Sequence, residues 1–230
     1  MDTLAVDTWR TPGGATVQLA YRPETSDWNT LSSILTHDEY GLPRKQRGTF
    51  LDVGSHIGGW AIGAALDNPA ATVVAIEALP ENVHLIRHNA KRAEVDVTVI
   101  HGGASCGTEP VTIAYGSTES DFAKAHEFIG GGIWHTDASD RRTIDLDPVS
   151  LASIVAEHGP VRLMKIDCEG CEWSFLDDPS ISEVHEIVGE YHPRQGFGPA
   201  RLRELLDATH EVTFVDEAEP FGNFRAVRHG

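Results

Sequence analysis

The sequence predicts an α/β fold built on a mostly parallel sheet, and three observations predict it. From about residue 48 onward, strand-like and helix-like stretches alternate, the pattern of a parallel sheet covered on both faces. The first of these strands, "TFLDVG", runs directly into a glycine turn. The last two, "EVTFV" and "FRAVRH", are joined only by "DEAEPFGN". That link is too short for a parallel crossover, so these two strands are expected to pair antiparallel.

Each element has its own local reason. Up to about residue 47 the chain differs in character: "ATVQLAYRP" reads as a strand and "DWNTLSSILTHDEY" as a helix capped by Asp27. This segment is expected to cover one edge or mouth of the sheet. "TFLDVG" is a short run of strand formers, and "IGGWAIGAAL" is small and apolar enough for a buried helix despite its glycines. "TVVAIE" is the second strand of the alternating region. In "LPENVHLIRHNAKRA", Pro80 suits a helix start, and Val83, Ile86, Ala90 and Ala93 fall on one face. "VDVTVIHG" is the next strand. In "DPVSLASIVAEHGP", Asp147 is the expected N-cap, Pro148 stands in the first turn and Gly159 is the stop. "VRLMKID" and "VHEIVGEYH" are further strands, and "PARLRELLDATH" is a helix before the terminal pair. The chain is read as a single domain over residues 1–230, with 1–47 as cap or edge segment and 48–230 as core.

Composition narrows the function. A chain of 230 residues with 40% hydrophobic residues can bury a full core. No apolar run reaches bilayer-spanning length, and "MDTLAVDTWRTPGG" lacks the pattern of a signal peptide, so a cytoplasmic location is the default expectation. The net charge of −17 repels phosphate backbones and anionic lipid. Neither nucleic acid nor membrane is therefore expected as a partner. A homodimer stays open. Three cysteines do not suggest a disulfide framework.

The strongest local signal is "FLDVGSHIGG". In open α/β sheets, ligands bind beyond the carboxyl ends of the strands, where strand order reverses. Gly54 permits a tight turn there, and Gly58 permits close approach of the following helix. The spacing is D-x-G-x-x-x-G, not that of dinucleotide binders. The loop carries neither Lys nor Arg for a pyrophosphate, which disfavours a dinucleotide-dependent oxidoreductase. Glu77 ends the next strand about 20 residues on, where a carboxylate accepts ribose hydroxyls. Asp52 can orient the loop or meet an ammonium group. Together these point to a nucleoside cofactor with an amino-acid end, S-adenosylmethionine.

The ordered set "SDWNTLSSILTHDEY", "FLDVGSHIGGWAI", "AIEALPENVHLIRHNA", "GGAS", "TIDLDPV", "LMKIDCEGCEWSFL" and "VGEYHP" resembles class I S-adenosylmethionine-dependent methyltransferases of the FkbM type. The resemblance implies a Rossmann-like, seven-stranded sheet and methyl transfer to a small-molecule hydroxyl, often on a secondary metabolite or sugar. It also implies that Asp52, Gly54 and Gly58, with Ser55 and His56 of the same loop, line the methionine portion. Glu77, followed by Ala78, would hold the ribose, and Ala104 with Ser105 would meet the adenine; Asp121 is a second candidate there.

Methyl transfer asks the protein to align an acceptor and remove its proton. Asp167 ends one strand, and Glu190 and His192 end the next, two apart and so on one face. His192 has an ordinary pKa near neutrality. It is expected to act as base assisted by Glu190, with Asp167 near the sulfonium or the acceptor. His135 in "GGGIWHTD" fits either a substrate lid or a surface loop, and Trp134 beside it either packs on an acceptor or belongs to a small satellite core.

"CEGC" at residues 168–171 offers a zinc or redox reading. A second paired motif is missing, and nearby acids suppress thiolate chemistry. The two cysteines are therefore expected to pack a strand-to-helix turn. No metal is expected, with a carboxylate site at Asp167 and Glu190 left open. An amine acceptor and a non-catalytic cofactor-binding module remain as alternatives.

Overall fold

The computed structural model describes residues 4–230 apart from residues 24, 116–141, 194–195 and 216–221. Asp121, Trp134 and His135 lie outside the described residues. The chain begins with a hairpin, β1 (Ala5–Arg10) and β2 (Thr16–Tyr21), and a helix, α1 (Asp27–Leu35). Alternation follows as β3 (Thr49–Val53), α2 (Gly59–Asp67), β4 (Thr72–Glu77), α3 (Pro80–Arg92) and β5 (Thr98–His101). Short pieces come next: β6 (Gly103–Ala104), β7 (Val111–Tyr115), β8 (Arg142–Leu146) and β9 (Pro148–Val149). The rest is α4 (Leu151–His158), β10 (Val161–Ile166), α5 (Glu172–Phe175), β11 (Glu186–Tyr191), α6 (Pro199–Leu206), β12 (His210–Phe214) and β13 (Gly222–Arg228).

Among the described residues the main sheet has 7 strands, in the order β12-β13-β11-β10-β3-β4-β5. β13 alone runs against the others, pairing antiparallel with both β11 and β12. The terminal hairpin expected from the short connection is thus present. The chain leaves β3 toward β4 and β5 on one side and returns through β10 and β11 on the other. The strand order therefore reverses between β3 and β10.

Side-chain parity divides the core. Leu51, Val53, Met164 and Ile166 face α4 and α6, where Leu151, Ile154, Leu202 and Leu206 meet them. Their neighbours Phe50 and Leu163 face the opposite layer of α1, α2 and the β1–β2 hairpin, including Leu31, Trp60, Ile62 and Leu19. Because successive side chains alternate, both faces of β3 are covered and all its residues are buried.

Two expectations at helix starts are corrected. Asp147 does not cap α4; Ser150 does, its side chain accepting from Ser153 N. Residues Pro148 and Val149 are drawn into pairing with Gly103 and Ala104, so the helix starts later. Asp27 is the first residue of α1 rather than its cap, and Ser26 is the N-cap. The Asp27 carboxylate instead accepts from Arg22 N and Nε at 2.9 Å. The hairpin is held to the core by Asn89 on α3, which accepts from Ala20 N at 2.8 Å and donates to Ala20 O at 3.0 Å. Asn89→Ala would leave those buried backbone groups unpaired. It is expected to cost about 1–3 kcal/mol, read from urea unfolding.

Candidate active site

An open cleft of about 230 Å³ lies at the carboxyl ends of β3, β4 and β10. Gly54, His56, Glu77, Ala78, Ala104 and Asp167 line it, as the sequence leads one to expect. Asn82, Cys168, Glu169 and Cys171 line it as well and were not expected there.

The loop after β3 is set by backbone geometry. Gly54 has φ +74, and a Cβ on it would stand 1.9 Å from Asp167 O. Only glycine allows the two strand ends to meet so closely. His56 also has a positive φ of 51, an uncommon conformation for a residue with a side chain. It is secured at both ends: His56 N donates to Glu77 Oε2 at 2.7 Å, and Nε2 lies 3.0 Å from Asp27 Oδ1. Burial alone would raise the Asp27 carboxyl, yet the His56 ring beside it and the hydrogen-bonded Arg22 guanidinium hold it well below the usual range.

Glu77 braces the same loop. Besides His56 N it accepts from Leu79 N at 2.9 Å and Asn82 Nδ2 at 3.2 Å. A carboxylate has about four acceptor sites, so capacity remains for a further donor from the cleft. The ring of His56, which also lines the cleft, has both nitrogens buried without a hydrogen-bond partner among the described residues. A nucleoside with hydroxyl donors fits such a wall, so the residues present suit the expected cofactor.

Four residues placed at the cofactor by the sequence, Asp52, Ser55, Gly58 and Ser105, do not line the cleft. Asp52 is fully buried; its Oδ2 accepts from Ser55 Oγ at 2.7 Å and Ala61 N at 3.2 Å. Its Oδ1 lies 3.2 Å from Lys165 Nζ, because the register sets Asp52 opposite Lys165. Asp52 therefore orients the loop and meets an internal ammonium instead of a ligand's. Ser55 spends its hydroxyl on Asp52. Gly58, at φ +88, starts α2 against Ile86 and Ile62. Ser105 Oγ lies 3.0 Å from Ser174 Oγ, away from the cleft. Lys165, itself buried, donates to Gly54 O at 2.7 Å. Burial opposes its charge, but Asp52 and then Asp167 keep its pKa above the ordinary value.

Around Asp167 the three catalytic candidates converge, although Glu190 and His192 stand behind it and do not themselves line the cleft. Asp167, Glu190 and His192 offer polar atoms all within 4.8 Å of one another, a separation that a divalent ion could also bridge. Tyr40 on the segment after α1 donates to Asp167 Oδ2 at 3.0 Å. Its phenol stays neutral, since burial and the Asp167 charge push its pKa well above 10. His192 is gripped from behind: Glu172 Oε1 lies 2.6 Å from Nδ1 and accepts from His192 N at 2.9 Å. Its Nε2 faces Glu169 at 3.4 Å and Glu190 at 3.9 Å. Burial works against the charged ring, but the bond to Glu172 and the charges of Glu172, Glu169 and Asp167 lift it to about 9. Burial and the charge of Asp167 raise Glu190 to about 7, against the attraction of His192.

The cysteines differ from expectation. Cys168 and Cys171 form a disulfide, with Cα atoms 5.4 Å apart. Acidic neighbours argue against a thiolate but say nothing against an oxidised pair. The spacing suffices once Glu169 and Gly170 adopt left-handed backbone, φ 54 and 106. Cys106 is free and exposed.

Residues 52–215 match the family described as the methyltransferase FkbM domain. The chain is 28% identical over 248 residues to the 31-O-demethyl-FK506 methyltransferase FkbM of Streptomyces tacrolimicus, covering 94% of this chain and 92% of that protein. The fold is similar to that of precorrin-6y C5,15-methyltransferase from Geobacter metallireducens, with TM-score 0.51, 12% identity and coverage of 90% and 92%. It is also similar to a T. thermophilus 16S rRNA N2 G1207 methyltransferase solved with AdoMet and guanosine, with TM-score 0.52 and 12% identity. There the match covers 98% of this chain and 51% of that one.

Proposed function

Because the chain belongs to the FkbM family of S-adenosylmethionine-dependent methyltransferases, we propose that it methylates a hydroxyl of a small molecule, with Glu190 as the proton acceptor. The observation that carries this reading is the meeting of Glu190 and His192 with Asp167, which lines the cleft. When bound, the cofactor supplies an electrophilic methyl group on a sulfonium sulfur.

The protein's own groups do the rest. Gly54, Glu77 and Ala78 form the seat, with Ala104 farther along. Asp52, Ser55 and Gly58 shape it from below. Asp167 and Glu169 on the cleft wall, with Glu190 next to Asp167, make this end negative, which favours a cationic ligand and disfavours an anionic acceptor. The roles first given to the strand-end pair are exchanged. A ring lifted to about 9 is already protonated at neutral pH and takes no further proton. A carboxyl near 7 is the better-matched base. His192, held through Glu172, presents a charged donor toward Glu190 and Glu169.

The Streptomyces relative is named for a reaction on 31-O-demethyl-FK506, which supports an oxygen acceptor here. The test is isothermal titration with S-adenosylhomocysteine followed by labelled methyl transfer to a panel of alcohols and amines. Transfer to amines alone would overturn the hydroxyl reading. Binding without transfer to any acceptor would favour the non-catalytic module. Loss of turnover on adding a chelator would shift the role of the triad to holding a divalent ion.

The pH profile follows from the two raised groups. Glu190 must be unprotonated to act, so kcat/KM is expected to rise through about pH 7. Above about 9 the His192 ring loses its charge and turns a lone pair toward the carboxylates, so the rate falls again. The expected profile is a bell between these two limbs. A single rising limb near 9 would return the base role to His192.

A further inference from the structure

We propose that Cys168 and Cys171 form a redox-exchangeable site in the wall of the cleft, open to a dithiol reductant, and that the oxidised pair holds the cofactor's seat in shape. This rests on the seating against the Gly54 loop proposed above. Both cysteines line the cleft. Cys168 is part-buried and Cys171 only 4% exposed, so attack from the cleft falls on Cys168 Sγ.

The pair is coupled to the site by two contacts. The first is backbone packing: the place a Cβ on Gly54 would take is 2.9 Å from Cys168 Cα and 1.9 Å from Asp167 O. The turn closed by the disulfide is therefore the surface against which the glycine loop rests. Its two left-handed residues, Glu169 and Gly170, are held there by the cross-link. The second contact is Glu172, fully buried on α5. One of its oxygens grips His192, and the other lies 3.6 Å from Cys168 Sγ. In the disulfide that sulfur has no proton to give. After reduction its S–H can donate to Glu172 Oε2, so the carboxylate that positions His192 gains a partner.

The exchange balances as follows. A thiolate of the dithiol attacks Cys168 Sγ, the Cys168–Cys171 bond breaks, and Cys171 leaves as a thiolate that takes a proton. The second thiol of the reductant then attacks its own sulfur in the mixed disulfide. This releases Cys168 as a thiol and leaves the reductant a cyclic disulfide, oxidised by two electrons.

The experiment uses the full chain carrying Cys106→Ser, so that every alkylated thiol belongs to the pair. Without reductant no iodoacetamide adduct is expected. After dithiothreitol two are expected, with the far-UV spectrum unchanged. Calorimetry should show S-adenosylhomocysteine binding roughly tenfold more weakly to the reduced protein. By reciprocity, saturating S-adenosylhomocysteine should raise the ratio of reduced to oxidised dithiol needed for half-reduction by the same factor. Adding Cys168→Ser and Cys171→Ser should give the weaker affinity with no response to dithiol. Equal affinity in both redox states, free thiols before reduction, or a pair that opens only on unfolding would overturn the proposal. Absence of S-adenosylhomocysteine binding in either state would instead overturn the seating on which it rests.

Discussion

Glu190→Gln is expected to lower kcat by about 10²- to 10⁴-fold, the usual contribution of a positioned general base. The amide is nearly isosteric, so affinity for S-adenosylhomocysteine should stay within about threefold, below the tenfold worth 1.4 kcal/mol. Glu190 stands on β11 opposite Asn223 of β13, and that backbone pairing survives the substitution. The variant should also lose the limb of the pH profile near 7, because the group that titrates there is gone. His192→Ala separates the two assignments. It removes the cation beside Glu190 without removing the base. Its turnover should fall less than that of Glu190→Gln, and the limb near 9 should vanish. Turnover lost equally in both, with the lower limb of His192→Ala still present but moved above 7 because the cation that held Glu190 down is gone, would still allow Glu190. Full turnover in Glu190→Gln would not.

The second large effect concerns stability. Lys165→Met is expected to cost about 3–5 kcal/mol, because it strands the buried Asp52 charge. It also takes the donor from Gly54 O. Two losses then fall on the loop that shapes the cofactor seat, so binding of S-adenosylhomocysteine should weaken along with the fold. Adding Asp52→Asn should recover part of the stability, since the stranded charge is removed. A double variant no more stable than Lys165→Met, measured by urea unfolding, would show that the pair is not the source of the loss.

The features legible in the sequence are those that depend on near neighbours. "TFLDVG" shows both a buried strand and its glycine exit, and Glu77 shows its place at the end of the next strand. The short link between β12 and β13 fixes their antiparallel pairing. Features that depend on register stay hidden. Whether Asp52 faces a ligand or Lys165 is decided by a cross-strand alignment between segments more than 100 residues apart. The cap of α4 moved to Ser150 because a distant pair, Gly103 and Ala104, claimed the two residues before it. His192 was read by its ordinary pKa. The buried carboxylate that lifts it, Glu172, comes from another element. The Cys168–Cys171 spacing was visible, but the left-handed turn that brings the sulfurs together was not. A glycine at 170 between two cysteines was the available signal.

The strand order has a consequence for how the protein is made. β12 leaves the ribosome before β13, yet among the described residues it joins the main sheet only through β13. Until β13 arrives, a nascent chain presents the open edge of β11, where Ile187, Gly189 and Tyr191 alternate with Val188 and Glu190. Unpaired edges of this kind recruit other chains. The half of the sheet that carries the proposed base is thus the last to be sealed during synthesis. Slowed translation or a hindered β13 should therefore appear as aggregation rather than as a folded enzyme of low activity.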